Sequence, residues 1–235
     1  MKLNPSQIDQ LFTFTRQHYV EWYDLQSELV DHLANAIETQ WQENPNRSFD
    51  EALQIEFKKF GVFGFMEVVE KRQAALGKKY NGLVWHHFKD FFGIPKIVLT
   101  IAMTLVLYSI LKISAYSEWI FIGLYLIVVG FTFYELFKNN RIQKRKKQTQ
   151  VKRWLFEEII NQYGSLSGVI IFPFNILVQI FNRSEKYLDN DYWIMGLSFL
   201  LVVVTLVLFI IFKIIPSKAV QYLKATYPEY KLENV

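Results

Sequence analysis

From Trp193 to Phe212 the chain offers Ser198 and Thr205 as its only polar side chains. A run of that length has few stable homes. A spanning helix needs about 20 mainly apolar residues to cross roughly 30 Å of hydrocarbon, and in lipid every backbone N–H and C=O must be satisfied within the segment. The run continues to residue 215, with Tyr192 and Trp193 at one end and Lys213 and Pro216 at the other. Aromatic residues at one boundary and a long basic side chain at the other are what two membrane–water interfaces select.

Three further apolar segments follow the same logic. Residues 94–113 are bounded by Lys96 and Lys112, with Pro95 placed for a first helical turn. Residues 119–137 are entered through Tyr116 and Trp119. Residues 166–181, "LSGVIIFPFNILVQIF", are shorter, contain Pro173 and carry Asn175 and Gln179. That segment is open to three readings: a kinked span, a re-entrant segment or an interfacial helix. The first is favoured because only a crossing there lets the fourth segment return. Asn175 and Gln179 are then expected to bond between helices, with Gly164 and Gly168 at a spacing that allows close packing. The fold class expected is all-α: a cytosolic helical bundle followed by four transmembrane helices.

Charge sets the orientation. Residues 138–154 hold Lys138, Arg141, Lys144, Arg145, Lys146, Lys147, Lys152 and Arg153 and no acid, whereas "SAYSE" between the first two segments has no basic residue. Short basic loops stay on the cytoplasmic side. The basic loop, the N-terminal part and the C-terminal tail are therefore expected inside the cytoplasmic membrane. These eight residues are read as a topology signal and as a contact for anionic lipid headgroups. Nucleic acid is disfavoured as their partner, since no aromatic residues interleave with the charges.

Up to Asp90 the chain carries ten basic against thirteen acidic residues, a net of −3, although the whole chain is at +4. Here the pattern is helical. Asn4 and Pro5 suit an N-cap and first turn. Trp22, Leu25, Leu29, Leu33, Ile37 and Trp41 form one stripe at steps of three and four. "SFDE" from Ser48 to Glu51 is a capping box, Gly61 closes that helix, and "FGFMEVVEKRQAAL" opens a fourth. The organisation expected is a helical domain over 1–82, an interfacial helix over 83–93 rich in aromatics, a membrane domain over 94–215 and a tail over 216–235. A second aromatic stretch, "VKRWLFEEIINQYG", is read as another interfacial lead-in. "EWIFIGLYLIVV" and "YWIMGLSFLLVV" open two of the apolar segments in similar fashion. They fit either two related hairpins or a shared membrane composition.

"YDLQSELVDHLANAIE", followed by "SFDEALQIEFKKFG" and a further helix, resembles the HAAS-type (permease-prefix-like) helical signalling-associated domains of bacterial membrane proteins, over about residues 18–75. The resemblance implies a helical domain placed ahead of membrane helices. It also implies as partner a PadR-type transcriptional regulator or another membrane protein. It supplies no catalytic residues, and "NPNRS" and "KKFG" depart from the commoner acidic turn and "LGDP" ending.

Asp24, Glu28, Asp31, His32 and Glu38 mark a polar face on the second helix. Glu28 and His32 are four apart and so share a face, but no second histidine stands at helical spacing. The face is read as a docking patch for a protein partner rather than a metal site. Adjacent His86 and His87 point about 100° apart, which is poor chelating geometry. Glu135, near the end of its segment, is expected to pair with Lys138 or Arg141. Glu157 and Glu158 are similar to the paired glutamates of intramembrane CAAX-type proteases, yet no histidine lies in the apolar segments. With no cysteine either, thiolate chemistry is excluded. The function expected is non-enzymatic, a regulatory or adaptor membrane protein needing no cofactor. The alternative is a small transporter or permease-like component acting as a homo-oligomer.

Overall fold

The computed structural model describes residues 2–148, 152–162 and 190–230. Among these every regular element is helical. In chain order they are α1 (Pro5–Gln17), α2 (Tyr23–Glu43), α3 (Phe49–Lys58), α4 (Met66–Asp90), α5 (Lys96–Ile113), α6 (Ser117–Gln148), α7 (Leu155–Asn161), α8 (Asp191–Phe209), a π turn (Ile210–Ile214), α9 (Ile215–Ser217) and α10 (Ala219–Thr226). The chain divides into two units, Met1–Lys78 with Gln150–Ile159 and Leu223–Val235, and Lys79–Thr149 with Ile160–Tyr222.

In the first unit the local signals act as expected. Asn4 accepts the Gln7 N–H at 2.9 Å while the Gln7 side chain returns to the Asn4 N–H, a complete capping box with Pro5 behind it. Ser48 accepts the Glu51 N–H at 3.2 Å and opens α3, which is one half of the capping box expected there. Leu25, Leu29, Leu33, Ile37 and Trp41 are buried along α2, joined by Val30. Both α1 and α3 pack on α2. Gln40 of α2 donates to the Ala52 carbonyl and to Glu56 of α3, and His32 faces the Phe60 ring at 5.9 Å, so α2 and α3 run antiparallel. Phe57, Phe60 and Phe65 close the core edge to edge. The chain turns there on Gly64, at φ +54°, where a Cβ would meet the Phe57 ring at 2.9 Å.

The second unit holds three helices long and apolar enough to cross a membrane: Lys96–Ile113, Ser117–Arg145 and Asp191–Ser217. These are three of the four segments expected, and the 166–181 segment lies outside the described residues. α5 packs chiefly on α8 and also on α6. Leu111, Phe121, Tyr125, Ile194, Leu197 and Leu201 form one cluster between them. Their other faces leave Val98, Ile101, Val106 and Ile127 exposed.

Two ion pairs fix the helix directions. Lys112 at the end of α5 meets Asp191 at the start of α8 at 2.6 Å. Glu135 of α6 meets Lys213 in the π turn at 2.7 Å. Hence α6 and α8 run the same way and α5 opposes both. The π turn sits where Pro216 offers no N–H to the Phe212 carbonyl, and the Ile215 N–H reaches back to Ile210 instead.

Two boundaries differ from expectation. The basic run is not a loop from residue 138: α6 continues through it to Gln148. No glycine or proline interrupts the sequence between Gly130 and Gly164, and Lys, Arg and Gln are good helix formers. Likewise residues 83–90 are not a separate interfacial helix but the last turns of α4.

Candidate docking site at the start of the second helix

Trp22 precedes α2 without offering its first turn a side-chain hydrogen bond. The Tyr23 N–H is satisfied instead by the Arg153 carbonyl at 2.8 Å. The exchange is mutual. The first N–H of α7, that of Leu155, is received by the Asp24 carboxylate at 3.0 Å, and the next, of Phe156, by the Tyr227 hydroxyl at 3.2 Å. Two helix N-termini thus cap one another, each supplying an acceptor for donors the other leaves unpaired.

Side chains fill the space around this exchange. Trp154, Leu155 and Phe156 are buried almost completely, each worth about 1.5–3 kcal/mol in apolar surface removed from water. The Trp154 ring lies 5.5 Å from that of Tyr23, 4.8 Å from Tyr227 and 5.3 Å from Tyr230. The Trp22 indole N–H donates to Glu158 at 2.7 Å, and Arg153 bridges Glu158 and Glu21. Lys152 rests its ammonium 4.0 Å above the Tyr23 ring. Burial holds the Asp24 carboxyl above its ordinary range, opposed by the Leu155 N–H, Tyr227 and Arg72. Burial, and then the charge of Asp24, push the Tyr227 hydroxyl upward.

The five residues expected on one docking face are therefore divided. Asp24 is only 7% exposed and serves the interior, a correction whose cause is an acceptor demand arising 131 residues away. Glu38 is half-buried and receives the Leu3 N–H at 2.9 Å. Glu28, Asp31 and His32 remain exposed on α2.

The basic residues divide too. Lys138 lies 3.9 Å from Glu135, Arg141, Lys144 and Arg145 are exposed along α6, and Lys146 and Lys147 continue that helix. Lys152 and Arg153 belong instead to the first unit. Glu135 does approach Lys138, but its shorter pairing is to Lys213. Glu158 is engaged with Trp22 and Arg153. Asn175 and Gln179 lie outside the described residues.

Trp154, Leu155, Phe156, Tyr227 and Tyr230 escaped the sequence reading as members of this domain. Their one sequence signal is aromatic density directly after a basic run and inside a polar tail, "TYPEY", where water alone would not favour it. Among the described residues no three His, Asp or Glu side chains gather as a metal site. What the arrangement does chemically is join helices. No family model, curated protein or solved structure matches the chain.

Proposed function

We propose that this is a non-enzymatic, multi-pass protein of the cytoplasmic membrane, with four spans and both termini in the cytosol. In this reading its cytosolic helical domain acts as a regulatory or adaptor module that docks a protein partner. The observation that carries the reading is the composition of the first unit. It joins residues before the apolar helices, residues between the second and third segments, and residues after the last. Segments that fold together lie on one side of a bilayer, and the eight basic residues select the cytosolic side.

The fourth span of this reading is supported by where the described helix ends lie. The Asn139 side chain donates to the Asn161 carbonyl near the Glu135–Lys213 end of the membrane helices, whereas Asp191 stands at the opposite end with Lys112. Residues 162–190 must connect those two ends. A spanning helix takes about 20 residues, which that length of chain allows.

With Asp24 committed internally, the surface available to a partner on α2 is Glu28, Asp31 and His32. The resemblance to HAAS-type domains points to a PadR-type regulator or a second membrane protein as that partner. Affinity capture of the tagged, full-length protein from mild-detergent extracts of its native membrane tests this. A stoichiometric protein retained by the wild type and lost from Glu28→Gln/Asp31→Asn supports the reading. Recovery of the protein alone, or of a partner indifferent to that variant, contradicts it.

A further inference from the structure

The last turns of α4 carry two opposed faces. Tyr80, Val84 and His87, at spacings of four and three, turn inward. Tyr80 and His87 are buried, Val84 packs on Leu208, Ile211 and Phe212, and the His87 ring meets the Tyr222 hydroxyl at 2.6 Å. Trp85 and Lys89, four apart, face outward, as does Phe92 just beyond the helix. Trp85 is 57% exposed and Phe92 38%, unusual for aromatic side chains in water.

This outer face is ordered. The Trp85 and Phe88 rings stack at 5.5 Å, and Phe88 and Phe92 stand 5.0 Å apart. Lys89 holds its ammonium 5.4 Å over Trp85, and Lys96 holds its own 5.1 Å over Phe91. His86 is exposed beside them. The single acid of the stretch, Asp90, lies 3.4 Å from the His87 ring, toward the inner side. The face is therefore aromatic and cationic, and the one acid of the stretch, part-exposed Asp90, pairs with His87 rather than with either lysine. It continues through Ile94, which is 91% exposed, into the outward Val98, Leu99 and Ile101 of α5.

We infer that the Trp85–Lys96 collar binds the headgroups of anionic phospholipids in the bilayer that holds the protein. Phe92 and Lys96 are separated by one turn's length of chain at the very start of an apolar helix, so covalent continuity holds the collar at the membrane boundary. Aromatic side chains favour that depth. Lysine stems lie along apolar surface while the ammonium reaches phosphate, and a lysine resting on a ring is already ordered where the headgroup lies. The complement is a negative surface, as the cytoplasmic leaflet provides. The basic run contributes less, because α6 continues as helix beyond Glu135 and places Lys144 and Arg145 roughly 13–15 Å further along its axis.

This goes beyond the docking proposal and is independent of any protein partner. The full-length protein is reconstituted into mixed phosphatidylcholine–phosphatidylglycerol vesicles and re-extracted in mild detergent, and the co-purifying lipid is quantified by mass spectrometry. Phosphatidylglycerol is expected above its share of the vesicle. Lys89→Gln/Lys96→Gln should lower that enrichment roughly fivefold per lysine, Lys89→Arg/Lys96→Arg should keep it, and Lys144→Gln/Arg145→Gln should leave it intact. Trp85→Ala should lower it without altering charge. Wild-type lipid at the vesicle ratio, or enrichment lost only from the Lys144/Arg145 variant, overturns the assignment.

Discussion

The carboxylate of Asp24, in the first turn of α2, receives the backbone N–H of Leu155 at 3.0 Å across 131 residues of chain. Asp24→Ala leaves that buried N–H without an acceptor and is expected to destabilise the first unit by about 1–3 kcal/mol. Asp24→Asn retains an acceptor oxygen and should lose much less. The two also separate by pH. Because burial raises the Asp24 carboxyl above its ordinary 3.8, the folded state holds this proton more tightly than the unfolded chain. Stability from this group is fullest below 3.8 and declines as pH rises through the folded value. Thermal unfolding across the acidic range should show that decline in the wild type and a flatter profile in Asp24→Asn.

Trp154 is the apolar centre of the same junction. Trp154→Ala should cost about 3–5 kcal/mol, and Tyr227→Phe, which removes the acceptor for the Phe156 N–H, about 1–3 kcal/mol. Hydrogen exchange supplies the local readout. The Tyr23 amide, bonded to the Arg153 carbonyl, should exchange faster in Trp154→Ala, while amides in the middle of α3 change little.

Glu135 and Lys213 join α6 to the π turn at 2.7 Å, with Glu135 buried. Either neutralisation, Glu135→Gln or Lys213→Gln, should lower thermal stability in detergent by about 1–2 kcal/mol, a value between those for exposed and buried pairs. The exchanged pair Glu135→Lys/Lys213→Glu should recover part of the loss. Recovery would show that the partner is Lys213 rather than Lys138.

His87 is held below its ordinary value of 6.5, first by burial and then by the charge of Lys218, with Asp90 opposing. The unfolded chain then binds this proton more readily. Its contribution to stability is present above 6.5 and is lost as pH falls through 6.5 toward the folded value. Amide exchange around Tyr222 should quicken over that descent in the wild type and lose this pH dependence in His87→Gln.

Much of the fold was legible because its determinants are local. Asn4 with Pro5, Ser48 with Glu51, the Leu25–Trp41 stripe and three of the apolar helices all declare themselves within a few residues. The extent of α6 is not legible from charge, because a block of like charge reads as a loop although Lys, Arg and Gln are good helix formers. The candidate site was legible only where it stays exposed, at Glu28, Asp31 and His32. Asp24 looked like another solvent-facing acid in a first helical turn. Nothing within a helical repeat of it reveals that Leu155 and Tyr227 will close over it. Trp154 was equally ambiguous, since an aromatic residue after basic ones suits an interface as well as a core. Pairings across 131 residues depend on tertiary packing that periodicity does not encode.

The N-terminal helices, the segment after the basic run and the C-terminal tail form one unit, which the proposed topology places on one side of the membrane. The chain contains no cysteine, so an engineered pair is unambiguous. Tyr23→Cys and Arg153→Cys place two thiols on residues whose backbones are hydrogen-bonded at 2.8 Å, and a disulfide forms only between residues brought into such proximity. Oxidation in intact native membranes should yield one intramolecular disulfide, seen as two fragments held together after cleavage between the apolar helices. Fragments that separate without reductant, despite complete oxidant treatment, would contradict the account.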